Sequence, residues 1–217
     1  MWQDWALGLW ASKQRYASQE EIINVVRNYS YHNISVSAVV IDWKHYKCFG
    51  DWRFSTSPEM CWPNPTSMVA SLKEMGVSQV VVSVHPWSQN GAETYHDLTE
   101  QGLCTKNSSG GMVAWGGKTI KTCQMYNTTN RGEPVCLYDA SNPLAREYLW
   151  KRLYNSYYKH GITQFWTDGT EPAGGTGEGG LLPEDVRFHD STGALTLPAA
   201  SAFMYWPGPL AMLHAVV

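Results

Sequence analysis

Two carboxylates close the run Phe165-Trp166-Thr167-Asp168-Gly169-Thr170-Glu171-Pro172, and no other stretch of the 217-residue chain says as much about chemistry. Residues 162–166 are mostly apolar or β-branched, the composition of a strand buried on both faces. Asp168 then falls where that strand runs out into a loop containing Gly and Pro. A carboxylate at the open end of a strand, beside the flat ring of a tryptophan, can attack or stabilise a sugar carbon. A lone D-x-x-E is also what a solvated acidic turn looks like, so the choice rests on the elements around it.

Those elements alternate along the chain. Residues 5–10 predict a short aromatic strand. Ser18 predicts the start of a helix to about Tyr29, with Glu21 as its capping-box partner. Residues 36–41 form a β-branched run that ends at Asp42. Pro65 opens a second helix, with Met68, Val69, Leu72 and Met75 as its apolar positions and Gly76 as its stop. A valine-rich strand at 77–84 ends in His85-Pro86-Trp87. Ser141-Asn142-Pro143 starts a long helix to about Lys159, closed by Gly161, and the 162–168 strand follows.

Strand and helix in alternation, with apolar strands, predict an α/β fold of parallel βαβ units. Four such strands match the first half of a (β/α)₈ TIM barrel: about four βα units with a loop insertion between units 3 and 4. The insertion is placed at 89–133, a stretch rich in Gly, Asn, Thr and Ser, and the whole of 1–217 reads as one incomplete catalytic barrel. A doubly wound open sheet competes, but no glycine-rich phosphate loop follows any of the first three strands. Asp42, His85 and Asp168 all fall at carboxyl ends of predicted strands, the face on which barrels place their chemistry.

Composition narrows the classes. Hydrophobic residues are 43%, charged residues 16% and the net charge is -3, which argues against disorder and against a polyanion-binding surface, so no nucleic-acid partner is expected. Eleven Trp and 12 Tyr against 5 Phe supply flat apolar faces with polar edges, which suit stacking on sugars and also suit ordinary cores. No stretch is long enough to span a bilayer, and the first residues do not read as a signal peptide. N-x-S/T acceptor sequences begin at Asn28, Asn33, Asn107 and Asn127, which points toward a secretory route, although Asn28 falls in a predicted helix. Five cysteines without C-x-x-C spacing argue against a zinc site. Cys104, Cys123 and Cys136 share one loop-rich stretch where a disulfide can form, and the odd count leaves one thiol over.

The ordered motifs resemble the catalytic barrel of glycoside hydrolase family 31, the retaining α-glucosidases and α-xylosidases. Gly8-Leu9-Trp10 with Tyr16 and Gln19-Glu20-Glu21 resembles its first strand and helix. Val39-Val40-Ile41-Asp42-Trp43, Gly50-Asp51-Trp52 and Phe54 resemble its second strand and following loop. Pro63-Asn64-Pro65 with Met68, Leu72 and Gly76 matches the next helix, and Tyr138-Asp139-Ala140-Ser141-Asn142-Pro143 with Ala145-Arg146 the approach to the nucleophile strand. Trp166-Thr167-Asp168-Gly169-Thr170-Glu171-Pro172 is similar to the nucleophile motif in its α-xylosidase form.

The resemblance implies a set of roles. Asp168 is the nucleophile, Asp42 binds sugar hydroxyls, and Trp166 forms a wall of the cleavage subsite, with Trp43 a weaker candidate for the same wall. His85 contacts sugar or is a hydrogen-bonded loop histidine, Glu171 supports the loop carrying Asp168, and Asp139 caps the turn before the long helix. The partner is an α-xyloside or α-glucoside, and neither metal nor organic cofactor is expected because both catalytic roles belong to carboxyl groups.

The resemblance also implies a general acid/base on a later strand, which is not found before Val217. The expectation is the amino-terminal half of a barrel, with exposed strand edges that invite a second half or a homo-oligomer. The rival reading is an inactive fragment that binds carbohydrate or pairs with another chain.

Overall fold

The computed structural model describes residues 3–43, 45–55, 61–85, 87–106 and 135–168, together with the backbone of 187–189 and 195–198. These fall into two compact units. The first comprises Met1–Lys47, Trp52–Val84 and Lys151–Trp166; the second comprises Cys48–Asp51, His85–Trp150 and Thr167–Val217.

A parallel sheet organises the first unit. Strand β1 (Trp10–Lys13) pairs parallel with β2 (Ala38–Ile41), and β2 pairs parallel with β3 (Gln79–Val84). Strand β6 (Gln164–Thr167) completes the order β1-β2-β3-β6. Every residue of β2 is buried, as are Val80 to Val84 of β3, the pattern of central strands covered on both faces. Helix α1 (Gln19–Tyr31) begins where expected: Ser18 Oγ accepts from the Glu21 amide at 3.2 Å. The Glu21 carboxylate reaches back one residue further than a capping box requires, accepting from the Ala17 amide at 2.6 Å. Helix α2 (Pro65–Glu74) is capped by Asn64, whose Oδ1 accepts from the Ser67 amide at 3.0 Å. The chain leaves α2 through Gly76 at φ +90°, a conformation that favours glycine.

Two expectations fail in this unit, each for a readable reason. Residues 5–10 are not a strand. Asp4–Leu7 form a single 3₁₀ turn in which the Ala6 amide donates to the Gln3 carbonyl and the Gly8 amide to the Trp5 carbonyl, so the backbone bonds there are spent locally. The ladder starts only at Trp10, opposite Ala38. Strand β6 is not buried on both faces either: none of its residues is buried, and Trp166 is 42% exposed. The strand order leaves β6 at one edge of the described sheet, flanked only by β3, just as β1 with its 40%-exposed Trp10 lies at the other.

In the second unit β4 (Trp87–Gln89) pairs antiparallel with β5 (Val135–Leu137), and α3 (Glu93–Glu100) follows β4. The beginning of the 89–133 segment thus carries α3, while 107–133 lie outside the described residues. Helix α4 (Pro143–Ser156) is capped by Asn142: its Oδ1 accepts from the Leu144 amide at 3.0 Å and its carbonyl from the Arg146 amide. Asp139 holds the turn before it, with Oδ1 accepting from both the amide and the hydroxyl of Ser141. The long helix is shorter than expected. From Lys151 onward the helix belongs to the first unit, and it gives way to a 3₁₀ turn at Tyr158–His160, closed by Gly161 at φ +88°. Strands β7 (Arg187–His189) and β8 (Leu195–Pro198) form an antiparallel pair that the sequence reading did not foresee.

Cys104 and Cys136 are disulfide-bonded across a separation of 32 residues, Cys48 is also disulfide-bonded, and Cys61 is a free, exposed thiol. By chain-entropy reasoning a loop of that length is worth about 4 kcal/mol of unfolding free energy. The Cys104→Ser/Cys136→Ser double variant is therefore expected to unfold at markedly lower urea concentration. A loss under ~1 kcal/mol would show that the cross-link is not a main constraint on the unfolded chain. Of the acceptor asparagines, Asn28 lies within α1, Asn33 sits in the exposed turn after it at φ +58°, and Asn107 and Asn127 are outside the described residues.

Candidate functional site

In the first unit the end of β2 delivers Asp42 and Trp43, both half-buried. Asp42 Oδ1 accepts from the Trp43 amide at 2.6 Å, and the Asp42 carbonyl lies 3.0 Å from His45 Nδ1. Trp166, on β6, presents its ring to solvent. Nothing in these positions is left to side-chain propensity alone, because the buried β2 ladder fixes where the chain emerges before Asp42.

In the second unit the structure brings together His85 and Asp168. His85 Nε2 lies 3.5 Å from Asp168 Oδ2, with the imidazole 11% exposed and the carboxylate 37% exposed. The separation is long for a hydrogen bond, so the pair is a polar contact rather than a tight bridge. Burial pushes His85 down from 6.5 to about 4, and the negative charge of Asp168 opposes that shift without overcoming it. At neutral pH the imidazole is uncharged, and Asp168 therefore faces a neutral partner.

Two aromatic rings pack against the His85 ring. Phe49 meets the His85 ring edge-on at 5.4 Å, Trp87 does so at 5.8 Å, and the two rings lie 4.3 Å apart. Phe49 is held by the loop Cys48–Asp51. Its carbonyl accepts from the Gln89 amide at 3.0 Å, and the buried Asp51 carboxylate accepts from the amides of Cys48 and Glu93. Gly50, at φ +89°, admits no substitute: a Cβ would sit 2.5 Å from the Ser88 backbone. The Gly50-Asp51 motif thus anchors an aromatic loop beside His85.

Glu171 lies outside the described residues. Phe49, Trp87, His45 and Tyr157 were not anticipated as site residues. The triplet His85-Pro86-Trp87 held the one available clue, since residues two apart at a strand end can share a face. A shallow depression of about 420 Å³ along α1, lined by Ser18, Glu21 and Asn28 among others, contains none of the candidate residues. Among the described residues no three His, Cys, Asp or Glu side chains cluster in a way that could hold a metal ion, and no helix is long and apolar enough to cross a membrane.

Strands and helices in alternation, a parallel β1–β2–β3 core, and polar residues directly following β2, β3 and β6 define the class: a (β/α)₈-barrel domain. Within that class the chain belongs to glycosyl hydrolases family 31, whose TIM-barrel domain model matches residues 1–194. It is 32% identical over 165 residues to an uncharacterized family 31 glucosidase of Pseudescherichia vulneris, covering 76% of this chain and 28% of that protein. It is likewise 32% identical over 167 residues to α-xylosidase A of Aspergillus niger, covering 76% and 20%. The crystal structure of a family 31 α-xylosidase from a soil metagenome, complexed with xylose, matches with a TM-score of 0.70 at 33% identity over 87% of this chain and 25% of that one. The chain thus spans between a fifth and just over a quarter of the length of these relatives.

Proposed function

We propose that this chain supplies the nucleophile half of a retaining α-glycosidase acting on terminal α-xylosyl or α-glucosyl residues. The observation that carries the reading is Asp168: a part-exposed carboxylate directly after β6, set against a buried imidazole in a family 31 barrel. In the first step an Asp168 oxygen attacks the anomeric carbon and an ester bond forms. The bond from that carbon to the leaving oxygen breaks, and the leaving oxygen takes the electron pair and a proton. Water later cleaves the ester. Asp42 binds sugar hydroxyls, Trp166 and Trp43 offer faces for the ring, and no residue of this chain is assigned the acid/base role. The xylosyl preference draws on the relatives named as α-xylosidases. With a disulfide and an exposed acceptor at Asn33, the reading also places folding along an oxidising, secretory route.

Trapping with a 5-fluoro-α-xylosyl fluoride tests this reading without calling on an acid/base. Fluoride leaves with its electron pair and needs no proton, while the ring fluorine slows hydrolysis of the ester so that it accumulates. The expected result is one added fluoroxylosyl mass on the peptide containing Asp168. An unlabelled chain, or a label on another peptide, would sink the assignment. Xylose binding without labelling would favour a chain that binds carbohydrate only.

A further inference from the structure

His45 is fully buried, yet it belongs to none of the roles above. Its ring packs among Tyr46, Phe54 and Tyr157, at centroid distances of 4.7, 5.3 and 5.6 Å. Both nitrogens have partners: Nδ1 lies 3.0 Å from the Asp42 carbonyl and Nε2 lies 2.7 Å from the Tyr157 hydroxyl. A carbonyl oxygen only accepts, so Nδ1 carries the proton. Nε2 is then the acceptor, and the Tyr157 hydroxyl donates to it.

The geometry at the other end gives this contact its consequence. The carbonyl of Asp42 and the amide of Trp43 are two ends of one planar peptide unit. His45 holds the carbonyl, and the amide donates to Asp42 Oδ1 at 2.6 Å. Fixing one end of the plane therefore aims the other, and the amide in turn fixes the carboxylate. The far anchor is rigid as well. The Tyr157 amide donates to the Leu153 carbonyl and the Tyr157 carbonyl accepts from the amides of His160 and Ile162, while the His45 carbonyl accepts from the Ser55 amide at 2.8 Å.

We propose that His45 is a positioning residue that orients the Asp42 carboxylate through the Asp42–Trp43 peptide, tying it to the turn after α4. The proposal rests on the reading of Asp42 as a sugar-binding residue. Asn and Gln separate the two halves of the relay. The amide of His45→Asn can take the place of Nδ1 and keep the donor to Asp42, whereas that of His45→Gln can take the place of Nε2 and keep only the Tyr157 contact.

The experiment measures hydrogen exchange at the Trp43 amide without sugar, and the concentration dependence of trapping by the 5-fluoro-α-xylosyl fluoride, on the full chain. His45→Gln is expected to speed Trp43 exchange and to raise the half-saturating concentration about tenfold, the scale of one lost buried hydrogen bond, with the limiting rate of labelling little changed. His45→Asn is expected to restore both. A merely structural histidine would not give this split, because the shorter Asn side chain leaves the larger void and would do at least as much damage as Gln. Wild-type values of both readouts in His45→Gln would overturn the proposal, as would equal damage in the two variants. Absence of labelling in the wild-type chain would instead bring down the reading of Asp168 as nucleophile, leaving Trp43 exchange to decide whether His45 holds the peptide. Should His45→Gln fail to fold, Tyr157→Phe, which removes only the hydroxyl that seats Nε2, is judged on the same two readouts against wild type.

Discussion

Asp168→Ala is expected to abolish trapping by the 5-fluoro-α-xylosyl fluoride, a loss of at least ~10³-fold in labelling rate. The size follows from the role. A nucleophile forms the bond that the reaction consists of, and no neighbouring group replaces it without being placed within reach of the same carbon. His85 is close, at 3.5 Å from Asp168, but its side chain is only 11% exposed, which leaves it little access to a sugar carbon. The variant should also keep its fold, because the carboxylate is 37% exposed and the imidazole it faces is uncharged. Far-UV circular dichroism and urea unfolding check that, while intact-mass measurement checks the label. Asp168→Asn separates charge from shape: it preserves the side-chain volume and removes the nucleophilic oxygen's charge, and it should be as inert as the alanine variant. Labelling that persists in a folded Asp168→Ala protein, on whatever peptide, would remove Asp168 from the mechanism.

The reasons for trusting Asp168 as a strand-end group were written in local signals. The Ser18 cap and the Gly76 and Gly161 stops depend on a few neighbouring residues, and each is found where the sequence places it. Those stops and starts bracket β2, β3 and β6 closely enough to put Asp42, His85 and Asp168 immediately after their strands.

What could not be read depends on partners distant in the chain. An apolar run such as 162–166 looks the same whether its strand is central or at an edge, and only the order β1-β2-β3-β6 exposes Trp166. Cys104 had two candidate partners nearby, and pairing with Cys136 is settled by the antiparallel register that sets Cys104 opposite Tyr138. Phe49 sits 36 positions before His85, and no periodicity links an aromatic in one loop to a histidine at the end of a different strand. His45 and Tyr157, 112 positions apart, are the same case. The chemistry was legible where a side chain's job is set by its own strand, and hidden where it is set by a second loop.

The His85–Asp168 pair makes a further measurable claim, about acid stability. Burial holds His85 at about 4 in the folded chain, against an ordinary value of 6.5, and Asp168 works in the opposite direction. Between those two values the unfolded chain takes up a proton that the folded chain refuses. Unfolding is therefore favoured as pH falls from about 6.5 to about 4, and the stability associated with neutral His85 is fully present above that window. Integrated over the window the effect is about 3 kcal/mol. Below about 4 both states bind the proton and this source of pH dependence ends. Ordinary carboxylates also titrate near the acid end, so the quantity to measure is the difference between wild type and His85→Gln, whose neutral side chain has no such window. Urea midpoints at pH 7, 6, 5 and 4 should fall more steeply for wild type, and parallel slopes would refute the buried neutral imidazole. Asp168→Ala sharpens the test, because it removes the negative charge that favours the imidazolium. His85, followed by its ring proton resonance, should then titrate still lower. A neutral neighbour also suits the role assigned to Asp168, since a fixed cation at that distance would offset the negative charge with which it attacks.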